Sequence, residues 1–221
     1  MKRLLALFIV FSGLTAPADL KNGSAKISLP APKKDGTTSV EAALATRRSV
    51  RSYAQDALTL AEIGQLLWAA QGITGPGGKR TAPSAMRKYP LEIAVVAQKV
   101  DGLARGAYRY VPADHSLELL TETKESAPSL ASATQQAQVH AAPAVFVIAA
   151  VYERMGKTAR DRTYTDYEAG LASENLLLEA VALGLGAVVT GGVDPTAARD
   201  AIKFTGNEQV LVVIPVGHPS K

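Results

Sequence analysis

The chain has 221 residues, 47% hydrophobic and 20% charged, with a formal net charge of +4. That composition belongs to a folded globular protein and excludes a disordered or collagen-like chain. There is no cysteine, which excludes disulfides, thiolate catalysis and Cys-ligated metal centres, and no basic run interleaved with aromatics that would suit nucleic acid.

Lys2 and Arg3 form a basic start, and Leu4 to Leu14 is apolar except for Ser12 and Gly13. Ala16-Pro17-Ala18 follows with the small-x-small pattern of a signal-peptidase site. Residues 1–18 are therefore expected to be a cleaved export signal, placing the protein in the periplasm; a retained anchor is the alternative. The apolar run falls short of the roughly 20 residues that span a bilayer, so no stable span is expected after cleavage. Residues 19–37 mix Pro, Lys, Gly and Ser without periodicity and read as a flexible leader to a single domain over 38–221.

Thr38-x-x-Glu41 reads as a capping box opening a helix to about Arg48. A second box, Thr59-x-x-Glu62, opens a helix with Leu60, Ile63, Leu67 and Ala70 on one face and Gly72 at its end. Gly75 to Gly78 is loop. Leu91 to Ala97 and Ala144 to Val151 are short and apolar, as buried strands are. Between them, Ala107 to Val111 and Leu117 to Leu120 flank a turn at Pro112 to His115, and Ser129 to His140 reads as helix. Tyr167 to Leu183 is the longest predicted helix, with Gly184 at its end. Ala187 to Val189 is a short strand, Asp194-Pro195 starts another helix, and Gln209 to Val216 is the last strand. Helices surround interspersed strands without βαβ alternation, which is an α+β fold.

Arg47-Arg48-Ser49-Val50-Arg51 gathers three guanidiniums and a hydroxyl where the first helix ends. Arginine forks suit phosphate oxygens, but cations at a helix C-terminus also answer the macrodipole. No P-loop or Rossmann glycine pattern is present. Gly191-Gly192 before Asp194-Pro195 is either a turn or a point of close ligand approach. His115 and His140 lack the spacing of metal ligands, so no metal is expected, and Trp68 beside the apolar stripe reads as core.

Arg47-Arg48-Ser49-x-Arg51 followed by Tyr53 resembles the first flavin mononucleotide (FMN) motif of the nitroreductase superfamily. Leu66 to Gly72, Arg80-Thr81-Ala82-Pro83-Ser84-Ala85 and Tyr89-Pro90-Leu91-Glu92 are similar to its SagB/ThcOx-type branch. Glu168-Ala169-Gly170, Asn175 to Leu178, Ala182 to Gly186 and Pro215 to Pro219 follow in the family's order. The resemblance implies a nitroreductase-like fold, a mostly antiparallel sheet flanked by helices, and a homodimer with FMN at its interface. It implies that Arg47, Ser49 and Arg51 hold the phosphate and ribityl chain, with Arg48 beside them in a cofactor or structural role. Pro83, Ser84 and Ala85 would line the flavin, often from the partner subunit, and Gly191 and Gly192 would present N–H groups to its ring. Lys88 and Tyr89 stand as a catalytic acid/base pair, since azoline-oxidising relatives use a Lys and a Tyr.

Two departures stand out. Met86-Arg87-Lys88 are bulky and basic where the branch carries small residues, which points to an altered pocket or an anionic substrate. A basic phosphate ligand that many relatives supply beyond the last strand has only His218 or Lys221 to replace it, on a terminus expected to fray. Three functions compete: reduction of nitroaromatics or quinones with NAD(P)H, dehydrogenation of a small or peptide-derived heterocycle, and non-catalytic flavin binding. Export would weaken the first, because NAD(P)H is not expected outside the cytoplasm.

Overall fold

A computed structural model describes residues 26–122 and 130–220. The expected signal at 1–18 and Lys221 lie outside the described residues. The elements are β1 (Lys26–Ser28), α1 (Val40–Thr46), β2 (Leu58–Thr59), α2 (Leu60–Gln71), β3 (Ile73–Gly75), β4 (Lys79–Arg80), β5 (Leu91–Ala97) and β6 (Val100–Asp101). They continue with β7 (Gly106–Val111), β8 (Ser116–Glu122), α3 (Ala137–Ala141), β9 (Ala144–Ala150), α4 (Tyr152–Met155), α5 (Ala159–Ala182), β10 (Gly186–Ala187), α6 (Pro195–Ala201) and β11 (Gln209–Gly217).

Seven strands form one antiparallel sheet in the order β1-β8-β7-β5-β9-β11-β10. Its central strands β5 and β9 are apolar apart from Glu92 because both faces are covered, and the two-residue period sorts their side chains. Ile93, Val95, Phe146 and Ile148 face α2 and α5, while Ala94, Val96, Val145 and Val147 face Val139 of α3, Ala198 of α6 and the nearby Ile202 and Phe204. On β11 a bulge between Val210 and Val212 changes the parity, so Val210 and Val213 share one face and Ile214 and Val216 the other.

Local signals held where the chain itself supplies both partners. Thr59 and Glu62 cap α2 reciprocally, and Asp194 caps α6 with Pro195 at its first position. At α1 the cap is Ser39, which accepts from Ala42 N–H, in place of the expected Thr38 box. The longest helix starts eight residues before Tyr167, because Thr158 and Asp161 form a capping box of their own. The span 129–140 is not one helix: a 3-10 turn at Leu130–Ser132 and α3 are separated by residues whose backbone is engaged elsewhere. Ala133 carbonyl accepts from Asp194 N–H at 2.7 Å, so it cannot serve a helix. The Gly-rich loop is the turn of a small hairpin joining β3 and β4.

The leader is ordered from Lys26 on, contrary to expectation. β1 pairs with the sheet edge at β8, Leu29 is buried, and the Gln65 amide bonds both backbone groups of Lys33. His115, in the β7–β8 turn, fastens it further: Nε2 lies 3.0 Å from Pro30 carbonyl and Nδ1 2.9 Å from Tyr110 hydroxyl. The Pro30 carbonyl requires a proton on Nε2, and in the neutral ring the Tyr110 hydroxyl donates to Nδ1. Burial pushes the His115 pKa below 6.5, against the pull of the Pro30 carbonyl. A lowered histidine pKa means the stabilisation is complete above pH 6.5 and lost as pH falls through the lower folded value. Amide NMR signals of Ile27 and Leu29 are therefore expected to shift and broaden between pH 7 and 5. A His115→Gln variant with the same pH response would refute the assignment to this ring.

The other terminus is tied down as far as it is described. Ala54 N–H donates to His218 carbonyl and Ser220 N–H to Ser52 carbonyl, so His218 is held to the body of the fold where fraying was expected. Among the described residues, no helix is long and apolar enough to cross a membrane.

Candidate functional site

The Arg47–Tyr53 segment leaves α1 as an extended strip beside the sheet. Val50 N–H donates to Ala187 carbonyl, and Ser49 bridges Ala187 in parallel. The approach is so close that a Cβ on Gly186 would sit 2.5 Å from Val50 Cγ1, which is why glycine stands there. Tyr53 locks the strip by donating to Val50 and Pro215 carbonyls. The three arginines then diverge in role. Arg48 turns back onto the α1 terminus and donates to Ala45 and Arg47 carbonyls at 3.1 and 2.7 Å. Arg47 lies 3.7 Å from Glu174 on α5. Ser49 and Arg51 are exposed, and their side chains are not hydrogen-bonded or ion-paired among the described residues.

Glu174 also stands on the rim of a cavity of about 390 Å³ between α5 and the sheet. Its walls are Asp166, Ala169, Gly170, Ser173 and Glu174 from the helix, Leu211 and Val212 from β11, and Val189, which lies in the loop after β10 because the strand expected at Ala187 to Val189 is only Gly186–Ala187. Small residues on α5 leave the space, and the strand side is apolar. Two residues past Val189, Gly191 and Gly192 follow Thr190, whose backbone pairs with Val213 in both directions. The N–H groups of Gly191 and Gly192 donate to no described residue, and a Cβ on Gly191 would meet nothing within 4 Å. The Thr190 hydroxyl is buried with no hydrogen-bond partner among the described residues. Arg47 thus reaches the cavity wall through Glu174, and Gly191-Gly192 follow two residues after Val189 of that wall, with Gly192 carbonyl accepting from the Thr134 hydroxyl at 2.8 Å.

Pro83 to Tyr89 forms a second cluster. Ala85 N–H donates to Glu168 Oε1 at 2.8 Å and Tyr89 N–H to Ser84 Oγ at 2.8 Å. The Arg80 guanidinium lies 4.3 Å over the Tyr89 ring and donates to Gln71. Met86, Arg87 and Tyr89 hold φ of 53°, 56° and 47°, a left-handed backbone that costs roughly 1 kcal/mol or more per non-glycine residue. Lys88 is exposed at the tip, and Tyr89 is half-buried under Arg80.

Both clusters touch α5, but on different sides. Glu168 and Glu174 are six residues apart, which on an α-helix is about 9 Å of rise and about 120° of rotation. Within one chain the helix body therefore separates Pro83-Ser84-Ala85 and Lys88-Tyr89 from the Arg47 face. Sequence reading missed both helix partners. The signal for Glu168 was an acid on the buried stripe of Thr165, Ala169, Ala172 and Leu176. Arg47–Glu174 left no local signal. His140 Nε2 lies 3.1 Å from Thr134 carbonyl, and among the described residues no three His, Asp or Glu side chains converge as a metal site.

The chain matches the Nitroreductase family over residues 44–218. A nitroreductase-family protein of Methanocaldococcus jannaschii is 38% identical over 180 residues, 80% of this chain and 90% of that protein. A solved nitroreductase-type structure from Ralstonia eutropha superposes with a TM-score of 0.78 at 28% identity, over 95% of this chain and 97% of that one. Another, from Desulfovibrio desulfuricans in complex with FMN, shares the fold with a TM-score of 0.60 at 22% identity, covering 82% and 87% of the two chains. With the antiparallel sheet, the Arg47–Arg51 strip and the α5 cavity in place, the chain belongs to the nitroreductase family.

Proposed function

We propose that this protein is an FMN-dependent oxidoreductase that works as a homodimer on a small organic substrate. The reading is carried by the Arg47–Arg51 strip, which meets the α5 cavity wall through Arg47 and Glu174, and is supported by the unused N–H groups of Gly191 and Gly192. Its chemistry fits the group. Two guanidiniums and a hydroxyl suit a phosphate, an apolar slot suits a flat ring, and unspent N–H donors suit the polar edge of that ring. FMN would supply two-electron transfer there, and the chain supplies binding, orientation and charge. Arg48, committed to the end of α1, is assigned a structural part.

The dimer completes the site. Tyr167 and Leu171 of α5 and Val40 and Leu44 of α1 are large, exposed and apolar, as an interface requires. A second copy packed there would bring its own Pro83, Ser84 and Ala85 to a site whose phosphate strip it does not share. The FMN held by the Desulfovibrio relative supports the cofactor assignment.

Purified protein is expected to be yellow or to gain a flavin spectrum on adding FMN. Arg47→Ala should weaken FMN binding at least about tenfold, the effect of one charge-assisted hydrogen bond. A colourless protein that gains no flavin spectrum would overturn the reading. Export through residues 1–18 belongs to the same proposal and makes the electron donor the decisive variable. Flavin bleaching on rapid mixing with NADH or NADPH assigns nitro or quinone reduction. Bleaching only by other reductants favours the second reading, dehydrogenation of a peptide-derived heterocycle with Lys88 and Tyr89 as acid and base, which the branch motif at Arg80 to Ala85 and Tyr89 to Glu92 supports.

A further inference from the structure

We infer that Glu168 is the positioning residue for the Ser84–Tyr89 loop. It lies on the face of α5 that packs into the core, with the residue only 4% exposed. A carboxylate in such a place is costly unless its oxygens are satisfied. Here Oε1 accepts the Ala85 N–H at 2.8 Å, while Oε2 is buried with no hydrogen-bond partner among the described residues. Burial drives the Glu168 pKa above 4.5, against the pull of Ala85 N–H, the Ser84 hydroxyl and Arg80. As a stability element the acid is a poor choice, and an apolar residue of the same size would suit the helix better.

The loop explains why it is kept. Met86, Arg87 and Tyr89 cannot hold their left-handed backbone by preference, so contacts must impose it. Ser84 Oγ with Tyr89 N–H closes the curl but is internal to the loop. Arg80 and Arg154 fasten its far end, through the Tyr89 ring at 4.3 Å and the Tyr89 carbonyl at 3.5 Å. Glu168 is the contact between α5 and the near end, one residue before the strained stretch. It therefore sets where Pro83, Ser84 and Ala85 stand. The consequence for FMN rests on the proposed function; the latch itself does not.

The test compares Glu168→Met, which fills the space but accepts no hydrogen bond, with Glu168→Gln, which keeps an acceptor. In FMN-free protein, Glu168→Met is expected to speed amide exchange at Ala85 at least about tenfold, and Glu168→Gln to stay within about threefold of wild type. FMN affinity should fall in the Met variant and return in the Gln variant. Wild-type exchange at Ala85 in Glu168→Met, or a Gln variant as loose as the Met variant, would overturn the inference. Wild-type protein that binds no FMN would defeat the cofactor reading alone, because exchange in the FMN-free protein still decides the latch.

Discussion

Arg109→Met is expected to lower stability by roughly 3 kcal/mol, or a melting temperature drop of roughly 10 °C for a chain of this size. Arg109 on β7 donates from Nη1 to Glu92 at 2.9 Å and from Nη2 to Glu208 at 2.7 Å, and lies 4.8 Å over the Phe204 ring. Glu92 retains Arg154 at 2.5 Å if Arg109 is lost. Glu208, whose side chain is 5% exposed, retains only backbone N–H groups, of Gly206 and of Glu208 itself, among the described residues. The loss therefore strands one buried carboxylate, which is far costlier than never having had the pair. A double variant, Arg109→Met with Glu208→Gln, should recover much of the stability, and calorimetry of the four proteins isolates the coupling.

The pH dependence gives the sign independently. Burial pushes the Glu208 carboxyl up, but Arg109 and the Gly206 amide outweigh it and hold the group below 4.5. A lowered carboxylate pKa gives stability that is present above the unfolded value and lost as pH falls through the folded one. Without Arg109, burial dominates and the pKa rises, so stability is then lost as pH rises through the folded value. The gap between wild type and variant should widen from pH 4 to pH 7. A constant gap would assign the loss to packing on Phe204.

What was legible in the sequence divides by distance along the chain. Thr59 with Glu62, and Asp194 with Pro195, are local signals and placed their helices. Leu91 to Ala97 and the strand from Ala144 follow from apolar runs that only a doubly covered sheet buries. Lys26-Ile27-Ser28 carries no strand pattern, because its pairing depends on an edge presented by β8, ninety residues away. Residues 129–140 have helical composition, yet Ala133 carbonyl is taken by Asp194. The site divides the same way. Arg47 to Arg51 could be read as a basic cluster, but only the fold assigns Arg48 to the helix end and Arg47 to Glu174 on the cavity wall. Glu168 and Glu174 stand six residues apart on one helix, and nothing local tells that they serve different clusters.

Leu171→Glu is expected to convert the proposed dimer to monomers and to weaken FMN binding together with it. Six large apolar side chains are exposed among the described residues: Val40, Leu44, Met86, Tyr167, Leu171 and Val189. Every one belongs to α5 or to a segment that packs against it. Tyr167 and Leu171 are one helical turn apart, and Gly170 and Glu174 on the cavity wall adjoin them. A twofold interface meets each substitution twice, so burying the unpaired carboxylate that this substitution introduces costs several kcal/mol in the dimer and nothing in the monomer. At about 1.4 kcal/mol per tenfold, the dimer dissociation constant should rise by roughly 10³-fold or more. Leu171→Ala, which loses only apolar contact, should weaken the dimer by roughly tenfold. Sedimentation and FMN titration on the same samples check the two effects. If FMN bridges the phosphate strip of one protomer and the Pro83-Ser84-Ala85 loop of its partner, excess FMN should drive the variant back toward dimer, since a ligand that binds only the assembled state shifts the equilibrium toward it. Monomers that bind FMN with wild-type affinity would mean that one chain holds the cofactor alone.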